Sequence, residues 1–172
     1  MSDRTVTFMG TPIRVEGPEL KPGDKAPEFD LQKRTTAGLE DVKLSDYAGR
    51  QLIISVVPSL DTSVCATQTK TFNQRAAALP DGVAVLTVSA DLPFAQGRFC
   101  GAENIDKLEC ASDHRDVSFG RAYGTLVAEG PLARVLARAV FVVGTDGKLT
   151  HVEYVPEIAQ EPDYDAALRA VA

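Results

Sequence analysis

Three cysteines, Cys65, Cys100 and Cys110, carry the side chains of this 172-residue sequence that are best suited to covalent chemistry. Three is an odd number and too few for a disulfide scaffold in a chain of this size, and no Cys-x-x-Cys motif is present. The sequence has two histidines, His114 and His151, so a Cys/His zinc site is not expected. We therefore expect the thiols to act in reactions, with no metal and no organic cofactor.

Cys65 stands at the junction of a predicted strand and a predicted helix. The apolar, β-branched run Gln51–Val57 is typical of a central strand buried on both faces, and Pro58 ends it. Helical periodicity begins at Thr62, so Cys65 falls in the first helical turn. Unpaired backbone N–H groups and the helix dipole favour a thiolate at that end. The bend also lies beyond the carboxyl end of a strand, where open α/β sheets bind their ligands.

Position alone does not separate a reactive Cys65 from an inert one. A free cysteine often packs as a small hydrophobic residue, and Cys65 shares its predicted helix face with Phe72 and Ala76. Two neighbours favour the reactive interpretation. The hydroxyl of Thr62, three residues earlier, can reach the Cys65 side chain across one turn, and Pro58 stiffens and shields the approaching loop.

Cys100 lies near the end of the short predicted helix Pro93–Cys100, which follows a second buried strand. If the two buried strands are parallel neighbours, both helices begin at the same edge of the sheet. A bridge between Cys65 and Cys100 then needs only local unwinding. Alternatively, Cys100 is a partly exposed thiol packed against Phe99. Cys110 has the pattern of a cysteine at the end of a strand, and we assign it no role.

Arg138 stands where the sequence enters the buried strand Ala139–Val143. Its guanidinium either points outward at the end of the sheet or turns inward to hold an anion. Arginine suits the second task because its planar fork donates to two acceptors and stays charged at any working pH.

The order of the remaining elements predicts an α/β domain. Strand, helix, strand and helix are followed by a hairpin and a closing helix, which favours a central mixed β-sheet flanked by helices. Right-handed crossovers make the first two core strands parallel, and we expect one domain over residues 1–172. The predicted elements are an N-terminal β-hairpin at about residues 5–16 with its turn at Gly10-Thr11-Pro12, short strands at 29–31 and 42–44, core strands at 51–57 and 83–88, helices at 62–79, 93–100 and 116–123, a hairpin of 139–143 and 149–155, and a helix at 163–171.

Charge and hydropathy exclude two classes of partner. Eighteen basic and twenty-four acidic residues give a net charge of −6 without any Lys/Arg cluster, so nucleic acid is not expected. The longest apolar stretches, residues 52–57 and 139–143, are far shorter than the ~20 residues that span a bilayer, so no membrane insertion is expected. The start, Met-Ser-Asp-Arg-Thr-Val, lacks an apolar run, which predicts no signal peptide and a cytoplasmic location.

Two segments of the chain resemble the peroxiredoxin family. The sequence PSLDTSVC at residues 58–65 resembles the active-site motif PxxxT/SxxC of that family. Residues 88–103, which contain Cys100, resemble the resolving-cysteine segment of the bacterial thiol peroxidase branch. The opening VTFMGTP at residues 6–12 and the tail EPDYDAAL at residues 161–168 agree with that branch, so the resemblance covers nearly the whole chain.

The resemblance implies a thioredoxin-like fold with an N-terminal β-hairpin, usually in a homodimer. It implies that Cys65 is the peroxidatic cysteine and Cys100 the resolving cysteine, with a disulfide between them inside one oxidised chain. Thr62 and Arg138 would hydrogen-bond the thiolate and the peroxide, and Pro58 would screen the site. The implied activity is a thiol-dependent peroxidase in antioxidant defence. It would reduce organic hydroperoxides and hydrogen peroxide and be recycled by thioredoxin.

Three other functions remain open on the residues alone. A cysteine hydrolase needs a base such as His114 or His151 beside the thiol, and neither lies in a recognisable pairing context. A redox sensor would use Cys65 and Cys100 without rapid turnover. A flavodoxin-like binding module is the structural alternative, although no Gly-rich loop follows the first core strand.

Overall fold

The computed structural model describes residues 4–171. Residues 1–3, part of the polar start behind the signal-peptide and location predictions, lie outside the described residues, as does residue 172. The strands are β1 (Thr5–Phe8), β2 (Thr11–Glu16), β3 (Asp30–Thr35), β4 (Gly38–Lys43), β5 (Gln51–Val56), β6 (Val83–Ser89), β7 (Glu109–Ser112), β8 (Leu126–Val127), β9 (Ala139–Val143) and β10 (Leu149–Tyr154); the helices are α1 (Ser63–Ala76), α2 (Pro93–Ala102), α3 (Ser118–Ala122) and α4 (Tyr164–Arg169). Within that range, no helix is long and apolar enough to cross a membrane.

Seven strands form one mixed sheet in the order β10-β9-β5-β6-β7-β3-β4. β5, β6 and β7 are parallel, and the other pairings are antiparallel. Parallel strands need long crossover connections, which α1 supplies between β5 and β6 and α2 supplies between β6 and β7. The predicted α/β architecture with a central mixed sheet is therefore confirmed, and α1 and α2 both begin at the carboxyl edge of the parallel strands.

The central strand β5 separates two hydrophobic layers. Side chains alternate between the two faces of a strand, so Leu52, Ile54 and Val56 pack into one core. Ile53 and Val57, the first residue after β5, pack into the other core, beneath α1. All five residues are inaccessible to solvent. Burial of each such side chain stabilises the folded state by about 1.5–3 kcal/mol. This packing holds β5 in place and so fixes the position of the bend that follows it.

The N-terminal hairpin turns one residue earlier than predicted. Phe8 pairs with Thr11, so the loop is Met9-Gly10, and these two residues have positive φ values of 51° and 80°. A two-residue loop of this kind needs positive φ at both central positions, which proline cannot adopt. Pro12 therefore lies in β2, and the predicted turn at Gly10-Thr11-Pro12 is wrong by one residue.

Glu157 anchors this hairpin to the loop after β10. Its carboxylate accepts hydrogen bonds from the backbone of Ala159 at 3.0 Å and the hydroxyl of Thr7 at 2.7 Å. It also accepts the backbone N–H groups of Gly10 and Met9, each at 3.1 Å. The donors, led by Ala159, lower the pKa of Glu157 to about 2. The hairpin and the loop after β10 are thereby held together.

Element boundaries differ from the predictions where the sequence is charged or exposed. The short strands predicted at 29–31 and 42–44 overlap a longer hairpin, β3 and β4, in which Leu31 and Val42 are buried and most other residues are exposed. Cys110 was expected at the end of a strand and lies in β7, which continues to Ser112, and the two-residue β8 was not predicted. The helix predicted over 62–79 begins after Thr62 and ends at Ala76.

Candidate active site

Cys65 lies in the first turn of α1, just beyond the end of β5. Pro58 follows the strand, the chain bends, and Thr62 takes the N-cap position with extended backbone. The helix begins with the hydrogen bond from Ala66 N to Thr62 O at 2.9 Å. Cys65 is inaccessible to solvent. Burial alone fits an inert thiol as well as a reactive one, so the neighbouring side chains decide between them.

Arg138 turns inward and contacts Cys65. The residue immediately precedes β9, is only 2% exposed, and donates from Nη2 to Cys65 Sγ at 3.3 Å. Its Nη1 donates to Gln68 Oε1 at 2.8 Å, and its Nε donates to the carbonyl oxygen of Ile158 at 2.9 Å. Because all three guanidinium nitrogens have partners, the plane of the group is fixed. The alternative in which Arg138 points outward is wrong.

The positive charge of Arg138 has no acidic partner in the part of the chain that the structure describes. None of the salt bridges among residues 4–171 involves its guanidinium. A buried charge without a countercharge is strongly unfavourable. The Cys65 sulfur is the group that lies against this uncompensated charge.

Gln68 is a site residue that the sequence did not point to. It lies in α1 about one turn after Cys65 and is fully buried. Its Oε1 accepts from Arg138, and its Nε2 donates to Ser55 Oγ at 2.8 Å. The usable signal was a pair of polar residues at buried positions, Ser55 within the apolar run of β5 and Gln68 on the helix face above it. This chain of hydrogen bonds orients the guanidinium toward the sulfur.

The hydroxyl of Thr62 donates its hydrogen bond to a backbone carbonyl and not to Cys65, contrary to the prediction. Thr62 Oγ1 donates to the carbonyl oxygen of Ser59 at 2.8 Å, within the bend that precedes α1. The short loop places that carbonyl within reach, and threonine hydroxyls readily bond to nearby backbone groups. The lone pairs of the Thr62 oxygen remain available, and the residue lines a cavity beside Arg138.

This cavity has a volume of about 220 Å³ and lies between the N-terminal hairpin, the first turn of α1 and the loop after β10. Its lining residues are Phe8, Pro58, Thr62, Ser63, Val64, Leu132, Arg138, Ile158 and Ala159. Most of these are apolar, with Arg138 as the only charged one. A small molecule with one polar end and an apolar remainder fits such a space. A larger cavity of about 340 Å³ beside Tyr47 contains no cysteine.

Cys100 lies next to Cys110 and not next to Cys65. Cys100 is half-buried in the last turns of α2, and its Sγ is 3.3 Å from the Sγ of Cys110 on β7. All three thiols are free. The hydrogen bond with Cys110 lowers the pKa of Cys100. The same hydrogen bond, followed by burial, raises the pKa of Cys110.

Asp91 connects the loop before Cys65 to the segment that leads into α2. Its carboxylate accepts hydrogen bonds from Ser59 Oγ at 2.8 Å, Leu60 N at 2.9 Å and Ser89 Oγ at 2.7 Å. These groups belong to the ends of two parallel strands, so one carboxylate ties the two helix starts together. The sequence analysis did not identify this contact, because it joins residues about 30 positions apart.

Neither histidine is placed to act as a base for Cys65. His114 Nε2 contacts Gln32 Oε1 at 2.9 Å. His151 lies on β10 beside Glu153, and burial lowers its pKa. The polar group that does contact the sulfur, Arg138, cannot accept a proton. Among residues 4–171, no group of three or more His, Cys, Asp or Glu side chains is arranged to hold a metal ion.

Fold and site together define a redox protein built around a thiol, and comparisons with known proteins agree. The Redoxin family matches residues 21–168, so the chain belongs to the redoxin family. It is 50% identical to a thiol peroxidase of Bacillus subtilis over 96% of this chain and 95% of that protein. A thiol peroxidase of Listeria innocua is also 50% identical, over 96% of each chain.

Solved structures show the same relationship. A peroxiredoxin-like protein from Aquifex aeolicus has a TM-score of 0.91 at 45% identity, covering 98% of this chain and 95% of its own. The AhpC protein of Mycobacterium tuberculosis, at 22% identity and a TM-score of 0.71 over 90% of this chain and 92% of its own, shares the fold. The thioredoxin-like fold and the resemblance to the thiol peroxidase branch of the peroxiredoxins are confirmed. The chain is a thiol-dependent peroxidase, an oxidoreductase that acts on a peroxide.

Proposed function

We propose that Cys65 is the peroxidatic cysteine of this peroxidase and that Cys100 resolves its oxidised form. The observation that carries the proposal is the 3.3 Å contact between Cys65 Sγ and the buried guanidinium of Arg138. Within the described residues, this guanidinium has no other anion beside it. The contact supports a sulfur held as a thiolate, which is the nucleophilic form of cysteine.

In the first step, the Cys65 thiolate attacks the terminal oxygen of a hydroperoxide. The O–O bond breaks, the attacked oxygen stays on sulfur as a sulfenic acid, and the other oxygen leaves with the electron pair. A proton from solvent converts this oxygen to an alcohol or, with hydrogen peroxide, to water. Negative charge moves from sulfur to oxygen in this step, and the fixed N–H groups of Arg138 are positioned to stabilise it.

Thr62 and Pro58 position and shield the peroxide. The Thr62 hydroxyl donates to Ser59 O, so its oxygen is left to accept a hydrogen bond from the O–H of the peroxide. Pro58 lines the same cavity and limits the access of water. The apolar side chains in the rest of the lining favour organic hydroperoxides, and hydrogen peroxide is small enough to enter as well.

In the second step, the Cys100 sulfur attacks the sulfenic sulfur of Cys65. A disulfide forms inside one chain, and the sulfenic hydroxyl leaves as water after it takes up a proton. Cys100 is the eighth residue of α2, about 10 Å along the helix from its start, and its sulfur now faces Cys110. The step therefore requires α2 to unwind locally.

The family supports the remaining parts of the proposal. We infer that a dithiol protein of the thioredoxin type reduces the disulfide and that the chain works as a single domain in a cytoplasmic homodimer. Steady turnover of peroxide with thioredoxin separates this enzyme from a redox sensor that carries the same cysteines. A sensor would be oxidised once and would not consume further peroxide at a useful rate.

Stoichiometric peroxide consumption tests the assignment of the two cysteines. In the absence of reductant, Cys65→Ser should consume no peroxide beyond the rate of buffer. The matched variant Cys100→Ser carries the same chemical change and should still consume one equivalent, because it leaves a sulfenic acid on Cys65 that a dimedone probe can trap. Peroxide consumption by Cys65→Ser, or a loss of the first equivalent in Cys100→Ser, would contradict the proposal.

A further inference from the structure

The contact between Cys100 and Cys110 is a second redox-capable arrangement in the molecule. The two sulfurs lie 3.3 Å apart, and a disulfide bond is about 2.05 Å long. Small side-chain rotations can therefore close this bond while α2 and β7 stay folded. Cys110 lies outside the motif that the chain shares with the peroxiredoxins, and the peroxidase steps described above do not use it.

The proposed Cys65–Cys100 disulfide, in contrast, joins two thiols that are not in contact in the reduced chain. It requires part of α2 to unwind and removes Cys65 from Arg138. When this bond breaks, Cys65 leaves as a thiolate beside a cation that stabilises it, and a stabilised thiolate is a good leaving group. A disulfide whose reduced form is stabilised in this way is a strong oxidant of a neighbouring thiol pair.

We propose that Cys110 accepts the disulfide from Cys65, so that the oxidised enzyme rests as a Cys100–Cys110 disulfide with Cys65 free again. This inference rests on the proposed function, because the peroxide reaction at Cys65 supplies the oxidation. It assigns Cys110 the role of a second resolving cysteine.

The exchange needs no further oxidant. The Cys110 thiolate attacks the Cys100 sulfur, a bond forms between these two sulfurs, and the Cys65–Cys100 bond breaks. Its electron pair goes to the Cys65 sulfur, which returns to the side of Arg138 as a thiolate. The proton of the Cys110 thiol goes to solvent. One disulfide is lost and one is gained, and α2 can refold over the new bond.

The proposed disulfide lies in a place where a reductant can reach it. Cys100 and Cys110 line a surface pocket of about 210 Å³ that is separate from the cavity beside Arg138 and also includes Lys33, Arg34 and Glu109. Lys33 is paired with Glu109, so an incoming thiolate is attracted chiefly by Arg34 and can attack Cys100 without entering the peroxide cavity. Peroxide reduction and disulfide reduction are thereby placed at two different sites on the chain.

The exchange should depend on pH in a characteristic direction. In the reduced chain the hydrogen bond with Cys100 is the largest cause that raises the pKa of Cys110. In the Cys65–Cys100 disulfide this hydrogen bond is lost, and burial and the nearby carboxylates of Asp91 and Glu109 still raise the pKa. Below that pKa, each unit increase in pH raises the thiolate fraction, and with it the exchange rate, by about tenfold. Formation of the Cys100–Cys110 bond should therefore accelerate as pH rises.

Time-resolved disulfide mapping tests the inference. The full-length chain is treated with one equivalent of peroxide without reductant, quenched with acid, and its peptides are mapped under non-reducing conditions. We expect the Cys65–Cys100 link first and the Cys100–Cys110 link later, with free Cys65 recovered. Persistence of the Cys65–Cys100 link, with no Cys100–Cys110 link at any time, would overturn the inference.

Three variants separate this inference from the proposed function. Cys110→Ser should form the Cys65–Cys100 disulfide and then consume no second equivalent of peroxide. The unmodified chain should consume the second equivalent at its regenerated Cys65. Cys65→Ser should form no link with peroxide but should form Cys100–Cys110 with the thiol oxidant diamide. If Cys110→Ala and Cys110→Ser both fail to form Cys65–Cys100, the proposed function fails. If both form it and the unmodified chain takes up only one equivalent, this inference alone is wrong.

Discussion

The surroundings of Cys65 and Cys100 differ in burial, in charge and in freedom to move. Cys65 is fully enclosed and faces a guanidinium that three hydrogen bonds hold in place. Cys100 is half-buried near the end of a short helix, and its polar partner is the neutral thiol of Cys110. The two proposed steps therefore need opposite environments. Attack on a small peroxide needs fixed electrostatics, whereas resolution needs a helix that can leave its place.

The largest expected effect on this comparison comes from Arg138. Arg138→Ala removes the cation beside Cys65 and should lower the rate constant for peroxide reduction by about 10²–10³-fold, the usual effect of losing a fixed donor to a developing oxyanion. Arg138→Lys keeps a positive charge but loses the planar, forked guanidinium. Its rate constant should lie between those of the unmodified chain and Arg138→Ala. Single-turnover kinetics under pseudo-first-order peroxide provide the measurement. An unchanged rate constant in Arg138→Ala would show that the guanidinium does not activate Cys65.

Gln68 provides a smaller and more selective perturbation. Gln68→Glu keeps an acceptor for Arg138 but adds a carboxylate that competes with the Cys65 sulfur for the same cation, whereas Gln68→Met removes the acceptor without adding charge. The peroxide rate of Gln68→Glu at neutral pH should be about tenfold below that of Gln68→Met, a difference of about 1.4 kcal/mol in activation free energy. Acidification should narrow this gap as the new carboxyl is protonated. Equal rates at all pH values would show that Gln68 acts only in packing.

Asp91 determines how firmly the two regions are tied together. Asp91→Ala leaves Ser59, Leu60 and Ser89 without their shared acceptor and should lower the free energy of unfolding by about 1–3 kcal/mol. Asp91→Asn keeps one acceptor oxygen and should cost less. Amide hydrogen exchange should increase at residues 59–66 and 93–100 in Asp91→Ala and far less in α4. Unchanged amide exchange in α2 would show that contacts other than those of Asp91 keep this helix folded.

The smallest expected effect concerns the ionisation of Cys100. Its pKa is lowered by the hydrogen bond with Cys110, so Cys110→Ala should raise this pKa and slow alkylation of Cys100 at neutral pH by about two- to tenfold. Cys110→Ser keeps a donor and should restore part of the reactivity. The rates are measured with iodoacetamide in the Cys65→Ser background, which removes the other reactive thiol. Equal alkylation rates in Cys110→Ala and its parent would show that Cys110 does not lower the pKa of Cys100.

Local sequence signals were sufficient for the parts of the site that lie within one strand–helix junction. The apolar run of β5, Pro58 and the helical period after Thr62 place Cys65 in the first turn of α1, and the structure has it there. Arg138 was recognised because a charged residue directly precedes the buried strand β9. In each case a short stretch of sequence carries both the element and the chemically active residue.

Contacts between distant segments could not be read from the sequence in the same way. Gln68 and Ser55 are polar residues whose burial depends on how α1 packs on β5, and a glutamine on a helix is more often exposed. The pairing of Cys110 with Cys100 depends on β7 lying beside β6, and neither the bounds of β7 nor its place in the sheet was predicted. The direction of the Thr62 hydroxyl depends on the exact course of the bend at Ser59.

Ultraviolet absorbance of the thiolate at neutral pH tests the central claim most directly. In a Cys100→Ser/Cys110→Ser background, Cys65 is the one thiol left, so the signal reports its ionisation alone. We predict the absorbance of about one thiolate per chain, abolished by the further change Arg138→Met and recovered in part by Arg138→Lys. The absence of a thiolate signal, or an equal signal in Arg138→Met, would contradict the claim that the buried guanidinium keeps this sulfur charged.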